Sequence, residues 1–172
     1  MEKPLSQHVC PFWVGYLLAN PLRKLIQNPE EILKPFVQEG MTVLDVGSAM
    51  GFFTLPMARM VEPAGKVYAA DVQEKMLKSL EKRARKAGVS AIIEPRHSLP
   101  ETLDLQDLNG KIDFALAFAV AHEMPDAARL FSELAVLLKP SGKILLAEPK
   151  GHVNAAAFQE TLAIAENHAF AV

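Results

Sequence analysis

The chain has 172 residues and a mass of 18.8 kDa; half of it is hydrophobic, and 18 basic against 20 acidic side chains leave a formal charge of −2. High apolar content at near-zero charge excludes global disorder, and the lack of a basic excess argues against a general nucleic-acid or anionic-membrane surface. A single cysteine, Cys10, excludes an internal disulfide framework, and neither a structural repeat nor a sustained heptad runs through the chain.

The start, Met1-Glu2-Lys3-Pro4, is polar, and Pro11 and Gly15 interrupt the apolar stretch behind it, so it does not read as a signal peptide. Residues 4 to 38 hold five of the prolines and the only tryptophan. Asn20-Pro21 and Asn28-Pro29-Glu30-Glu31 each read as an N-cap followed by proline at the first helical position. Leu22, Leu25 and Ile26, then Ile32, Leu33 and Phe36, follow at helical spacing. This predicts two or three short helices ending near Gly40, an N-terminal helical cap over residues 1–39.

From Thr42 the rhythm changes. Short apolar runs at Thr42–Val46, Val67–Ala70, Ala91–Ile93, Asp113–Ala119 and Lys143–Ala147 alternate with longer amphipathic ones at 52–61, 74–87, 127–138 and 155–168. That alternation predicts βαβ units with right-handed crossovers, and hence a parallel sheet covered by helices on both faces. The most apolar stretch, Phe114 to Ala121, is far short of the ~20 residues that span a bilayer and reads as a strand buried on both faces. Asn167 to Val172 reads as a helix end followed by the first residues of a sixth strand. The expectation is a soluble, cytoplasmic protein.

The sharpest motif is Asp45-Val46-Gly47-Ser48-Ala49-Met50-Gly51, where an apolar strand runs into a glycine-bearing turn and then a helix. Gly47 permits a tight turn and Gly51 a close backbone approach. The Gly-x-Ala-x-Gly spacing is not that of the dinucleotide enzymes. Asp45, two residues ahead of the first glycine, disfavours a pyrophosphate and suits a ligand with an amino group or positive charge. Asp71 ends the next strand, where an acid in a nucleotide-binding βαβ unit accepts hydrogen bonds from ribose hydroxyls. Together the two acids describe a nucleoside with a cationic tail and no phosphate.

With these motifs, the strand Asp113–Ala119 and Leu137-Leu138-Lys139-Pro140-Ser141-Gly142-Lys143 before the fifth strand, the sequence resembles the class I S-adenosylmethionine-dependent methyltransferases of the small-molecule type. The resemblance covers residues 40–172 and implies a Rossmann-like α/β domain, a doubly wound sheet of order 3-2-1-4-5, with S-adenosyl-L-methionine at the switch between strands 1 and 4. Carried over residue by residue, it places Gly47, Ala49 and Gly51, with Ser48 between them, beneath the methionine portion, with Asp45 nearby. It gives the ribose to Asp71, the adenine face to Val72, and the surroundings of the sulfonium to Ala117 and Phe118. The acid that the family often carries after its third strand is replaced here by Arg96-His97-Ser98-Leu99-Pro100, so the adenine amino group would fall to Ser98 or to the Leu99 backbone. The family's C-terminal strands 6 and 7 are missing or incomplete, which leaves the edge of strand 5 for a second copy to cover, as a homodimer.

A sulfonium methyl is already electrophilic, so the chemistry requires alignment of a small-molecule acceptor and exclusion of water, with a base only for a poorly ionised acceptor. Acceptor-side candidates follow the fourth and fifth strands: His122, Glu148 and His152. His8-Val9-Cys10 lacks the further ligands a metal site needs, and no metal is expected. Nothing in the sequence suggests a nucleic-acid or membrane partner. The competing reading is a non-catalytic cofactor-binding subunit, or a truncated remnant of such an enzyme.

Overall fold

The alternating runs build a five-stranded, wholly parallel sheet in the computed structural model, which describes residues 27–172. The strands are β1 (Thr42–Val46), β2 (Lys66–Asp71), β3 (Ile93–His97), β4 (Ile112–Phe118) and β5 (Leu138–Ala147), in the spatial order β3-β2-β1-β4-β5. The helices are α1 (Pro29–Leu33), α2 (Thr54–Val61), α3 (Glu74–Ala87), α4 (Ala127–Leu137) and α5 (Ala155–Asn167). The expected order 3-2-1-4-5 is the observed one. Of the N-terminal cap only α1 falls within the described residues; the helix expected behind Asn20-Pro21 lies outside them.

β1 is the centre, and its side chains alternate between two cores. Val43 joins Val67, Phe114, Leu116, Met57 and Leu80 on one face, while Leu44 joins Ile112, Ala115, Leu130, Leu134 and Leu137 on the other. All of these are buried, as a parallel sheet with both faces covered requires. Each large side chain so buried contributes roughly 1.5–3 kcal/mol. α3 shows how the pattern works locally. Met76, Leu77, Leu80 and Ala84 form its buried stripe, and Gly88 at φ +77° closes its C-terminus, where an L side chain would be strained.

Asn28 caps α1 through its Oδ1, which accepts the Glu30 amide at 3.1 Å, with Pro29 at the first helical position. Asn154 caps α5 in the same way, accepting the Ala157 amide at 2.9 Å. Asn154→Ala should lower stability by about 1 kcal/mol; the shift of the urea unfolding midpoint measures it, and an unchanged midpoint would remove the cap from the account.

Three sequence expectations need correction. β3 occupies Ile93–His97 rather than 91–93, because Ala91 and Ile92 complete the turn after α3, where the Ile92 amide donates to Val89 O. Pro95 is tolerated inside β3 because this is an edge strand, paired among the described residues with β2 alone. β5 begins at Leu138, five residues before Lys143: Ile112 pairs Leu138, and an irregularity then resets the register so that Phe114 meets Lys143. No sixth strand forms over 168–172; the Phe170 ring instead packs edge-on to Phe131 at 6.0 Å. Among the described residues, no helix is long and apolar enough to cross a membrane.

Candidate functional site

A doubly wound sheet opens a crevice at the carboxyl ends of its strands where the strand order reverses. Here that point lies between β1 and β4, and a cavity of about 470 Å³ sits against it. Of the residues singled out from sequence, Asp45, Gly47, Ser48, Ala49, Asp71, Val72, Ser98, Leu99, Phe118, His122, Glu148 and His152 line this cavity. Gly51 and Ala117 do not. Ala117 is wholly buried within the sheet, paired with Val46 and Leu146. Gly51 faces α3: a Cβ there would collide with Leu80 Cδ1, so its smallness lets the helix pack on the turn.

The glycine turn is held by the ends of two strands. Gly47, at φ +71°, and Ser48 both donate their amides to Ala70 O, at 2.9 and 3.0 Å. Ala49 takes the left-handed conformation at φ +46°, unfavourable for a residue with a Cβ, and its amide donates to Asp71 Oδ2 at 2.8 Å. Asp71 Oδ1 accepts the Gln73 amide, also at 2.8 Å. Asp71 is therefore a staple for the turn as well as a wall of the cavity, and each carboxylate oxygen retains a lone pair for a ligand hydroxyl. Arg83 on α3 adds a second tie, donating from Nη1 to Met50 O at 2.6 Å.

Asp45 is 3% exposed and accepts the Thr54 hydroxyl at 2.5 Å on Oδ2. Burial, with Asp71's negative charge adding to it, pushes its carboxyl up to about 7, against the lowering effect of the Thr54 bond. Burial raises Asp71 also, opposed by the amides of Gln73 and Ala49. A cation beside either carboxyl would favour its ionised form and so oppose the effect of burial. Ser48 and Ser98 add buried hydroxyls with no partner among the described residues, each a deficit of roughly 1–3 kcal/mol until something fills it. The Ser98 amide donates to Asp71 O, so its side chain sits beside the β2 end. An adenosine carrying a cationic amino-acid tail suits this donor set: hydroxyls for Asp71, a cation for Asp45, polar edges for the two serines.

Across the cavity, His122 lies in a single 3-10 turn after β4, and Glu148 and His152 follow β5. Glu148 Oε2 is 2.5 Å from His122 Nδ1, and His122 Nε2 is 3.4 Å from His152 Nδ1. Between the two polar groups the wall is apolar, with Phe118 tilted over Phe53 at 4.6 Å.

Sequence reasoning missed three contributors. Thr54, which holds Asp45, gives no signal beyond being a hydroxyl nine positions on. Phe53 and Met124 line the cavity although both read as ordinary core or loop residues. Among the described residues no cluster of three or more His, Cys, Asp or Glu could hold a metal ion; the His8-Val9-Cys10 segment lies outside them.

A family model described as "Methyltransferase domain" matches residues 37–169. The chain is 34% identical over 113 residues to a ubiquinone biosynthesis O-methyltransferase of Paramagnetospirillum magneticum, covering 66% of this chain and 41% of that one. It is 31% identical over 112 residues to a ubiquinone/menaquinone biosynthesis C-methyltransferase of Escherichia coli O1:K1 / APEC, covering 65% of this chain and 44% of that one. The chain thus spans less than half the length of these curated relatives. Its fold superposes on the crystal structure of a SAM-dependent methyltransferase from Aquifex aeolicus with a TM-score of 0.81 at 29% identity, covering 93% of this chain and 88% of that one.

Proposed function

The chain belongs to the class I S-adenosylmethionine-dependent methyltransferases, and on that premise we propose that it transfers a methyl group from S-adenosyl-L-methionine to a small-molecule acceptor, releasing S-adenosylhomocysteine. The observation that carries the reading is the pairing of two buried acids, Asp45 and Asp71, at the ends of adjacent parallel strands around one glycine turn. Asp71 would hold the ribose, with Val72 against the adenine and Ser98 at its edge; Asp45, Gly47, Ser48 and Ala49 would hold the amino-acid portion. The cofactor supplies an electrophilic sulfonium methyl, and the protein's work is to orient an acceptor and keep water out. The acceptor would lie on the side of Phe118, His122, Glu148 and His152. The two curated relatives are named for ubiquinone biosynthesis, which supports a small acceptor over a macromolecule.

A cytoplasmic location fits the reading. Pairing of a second copy along β5 fits the sheet, since β5 is its edge and Ile144, Leu145 and Leu146 on it are only half-buried.

Calorimetric titration with S-adenosylhomocysteine tests the proposal: binding at one site per chain is the expected result, and its absence from a folded chain would refute it. Ser98→Ala should weaken that binding by roughly 5-fold, the worth of one neutral hydrogen bond. An unchanged affinity would move the adenine edge away from Ser98.

A further inference from the structure

Glu148 is buried, with its side chain 3% exposed, and engages His122 with both oxygens. Oε1 accepts the His122 backbone amide at 3.2 Å, and Oε2 lies 2.5 Å from Nδ1. An ionised carboxylate can only accept, so the neutral His122 ring carries its proton on Nδ1 and presents a bare lone pair at Nε2. That lone pair faces His152 Nδ1 at 3.4 Å, the two rings standing edge to face with centroids 5.4 Å apart. A lone pair requires a donor, so His152 also holds its proton on Nδ1. Its Nε2 is thereby the open basic end of the chain, on an exposed residue of the cavity wall and without a hydrogen-bond partner among the described residues.

We propose that Glu148, His122 and His152 form a proton relay and that the methyl acceptor is protic, a hydroxyl or thiol X–H whose proton leaves to His152 Nε2. This rests on the methyl-transfer reading above. In the step, the X–H bond breaks with its proton going to His152 Nε2. The electron pair on X forms the new bond to the methyl carbon as the carbon–sulfur bond breaks, and the sulfur keeps that pair as a neutral thioether. The Nδ1 proton of His152 passes to His122 Nε2, so the positive charge comes to rest beside the Glu148 carboxylate, where it is best stabilised. His152 is the catalytic residue; His122 and Glu148 are positioning residues. An acceptor that is already an anion or a free amine would have no use for this arrangement.

The relay is read directly from the histidine tautomers by long-range proton–nitrogen correlation on the full chain with S-adenosylhomocysteine added, at about pH 8, above the ordinary range of histidine protonation. Expected is Nδ1–H on His122 and His152 alike. In Glu148→Gln, Oε1 continues to accept the His122 amide, which turns the side-chain NH₂ toward Nδ1 as a donor. Both imidazoles should then flip to Nε2–H. Nε2–H on His152 in the unaltered chain, or tautomers that stay the same in Glu148→Gln, overturns the relay.

Turnover supplies the acceptor arm, with phenol and the already ionised 4-nitrophenol as probes. His152→Ala should slow transfer to phenol by roughly 100-fold and transfer to 4-nitrophenolate by a much smaller factor. Equal loss on both, or transfer to neither by a chain that binds S-adenosylhomocysteine, overturns the protic acceptor. Failure of the unaltered chain to bind S-adenosylhomocysteine defeats the methyltransferase reading instead, and leaves the tautomer result to stand by itself.

Discussion

Asp71→Ala should weaken S-adenosylhomocysteine binding by about 2–4 kcal/mol, roughly 30- to 1,000-fold, more than the loss of ribose contacts alone would give. The reason is that the carboxylate serves two structures. Its outer lone pairs are the ones a ribose can use, while its inner ones accept the amides of Ala49 and Gln73 at 2.8 Å each. Removing it leaves the left-handed Ala49 without the acceptor of its amide, and the glycine turn keeps only the Gly47 and Ser48 amides on Ala70 O as its ties to β2. Asp71→Asn separates the two roles. Its side-chain oxygen can accept one amide, but its NH₂ must face either the other amide or the ligand. The expected ranking of dissociation constants by calorimetry is unaltered chain below Asn below Ala. Equal affinities for all three would mean the ribose is not at Asp71, and a loss confined to Ala would reduce the residue to its structural role.

Why this site was partly legible in the sequence follows from what the sheet does to spacing. A parallel strand ends where its apolar run ends, so Asp45 and Asp71 could be placed at neighbouring strand ends from the text alone, and β1 and β2 pair Asp45 with Ala69 to put them there. The same logic brought His122 and Glu148 to one place, since they follow β4 and β5 by a few residues and those strands are adjacent. The 2.5 Å contact between the two side chains was beyond reach, because it depends on loop conformations that carry no periodicity. Gly51 shows a different gap. The packing of Leu80 of α3 against it gives no signal in the sequence, because only the seating of the helix on the turn reveals it. β3 was misplaced for a third reason. As an edge strand it needs no continuous apolar run, and Glu94, Pro95 and Arg96 hide it from a search for one.

Asp45→Asn should stabilise the ligand-free chain at pH 8 while nearly abolishing affinity for the cofactor. The sign follows from the pKa. In the folded chain burial holds the carboxyl at about 7, against an ordinary value of 3.8. As pH rises through the acid range the unfolded chain gives up this proton first, while the folded chain keeps it, so stability falls between about pH 4 and 7 and the deficit is complete above 7. About three pKa units correspond to at most about 4 kcal/mol. Asparagine has no proton to lose and can still accept the Thr54 hydroxyl, so it removes the deficit at pH 8 and changes little at pH 4. Binding runs the other way. A cationic amino group beside Asp45 favours the ionised carboxylate, so below pH 7 binding must release a proton and affinity should fall by about 10-fold per pH unit. Thermal unfolding of both chains at the two pH values, and titrations with S-adenosylhomocysteine in buffers of different ionisation enthalpy, read the two halves separately. If the variant gains stability at pH 8 but binds as tightly as the unaltered chain, Asp45 is a buried acid without a cation to meet. If it loses affinity with no gain in stability, the carboxylate is already ionised in the empty site, and the attraction for the cofactor's amino group owes nothing to the depth at which Asp45 is buried.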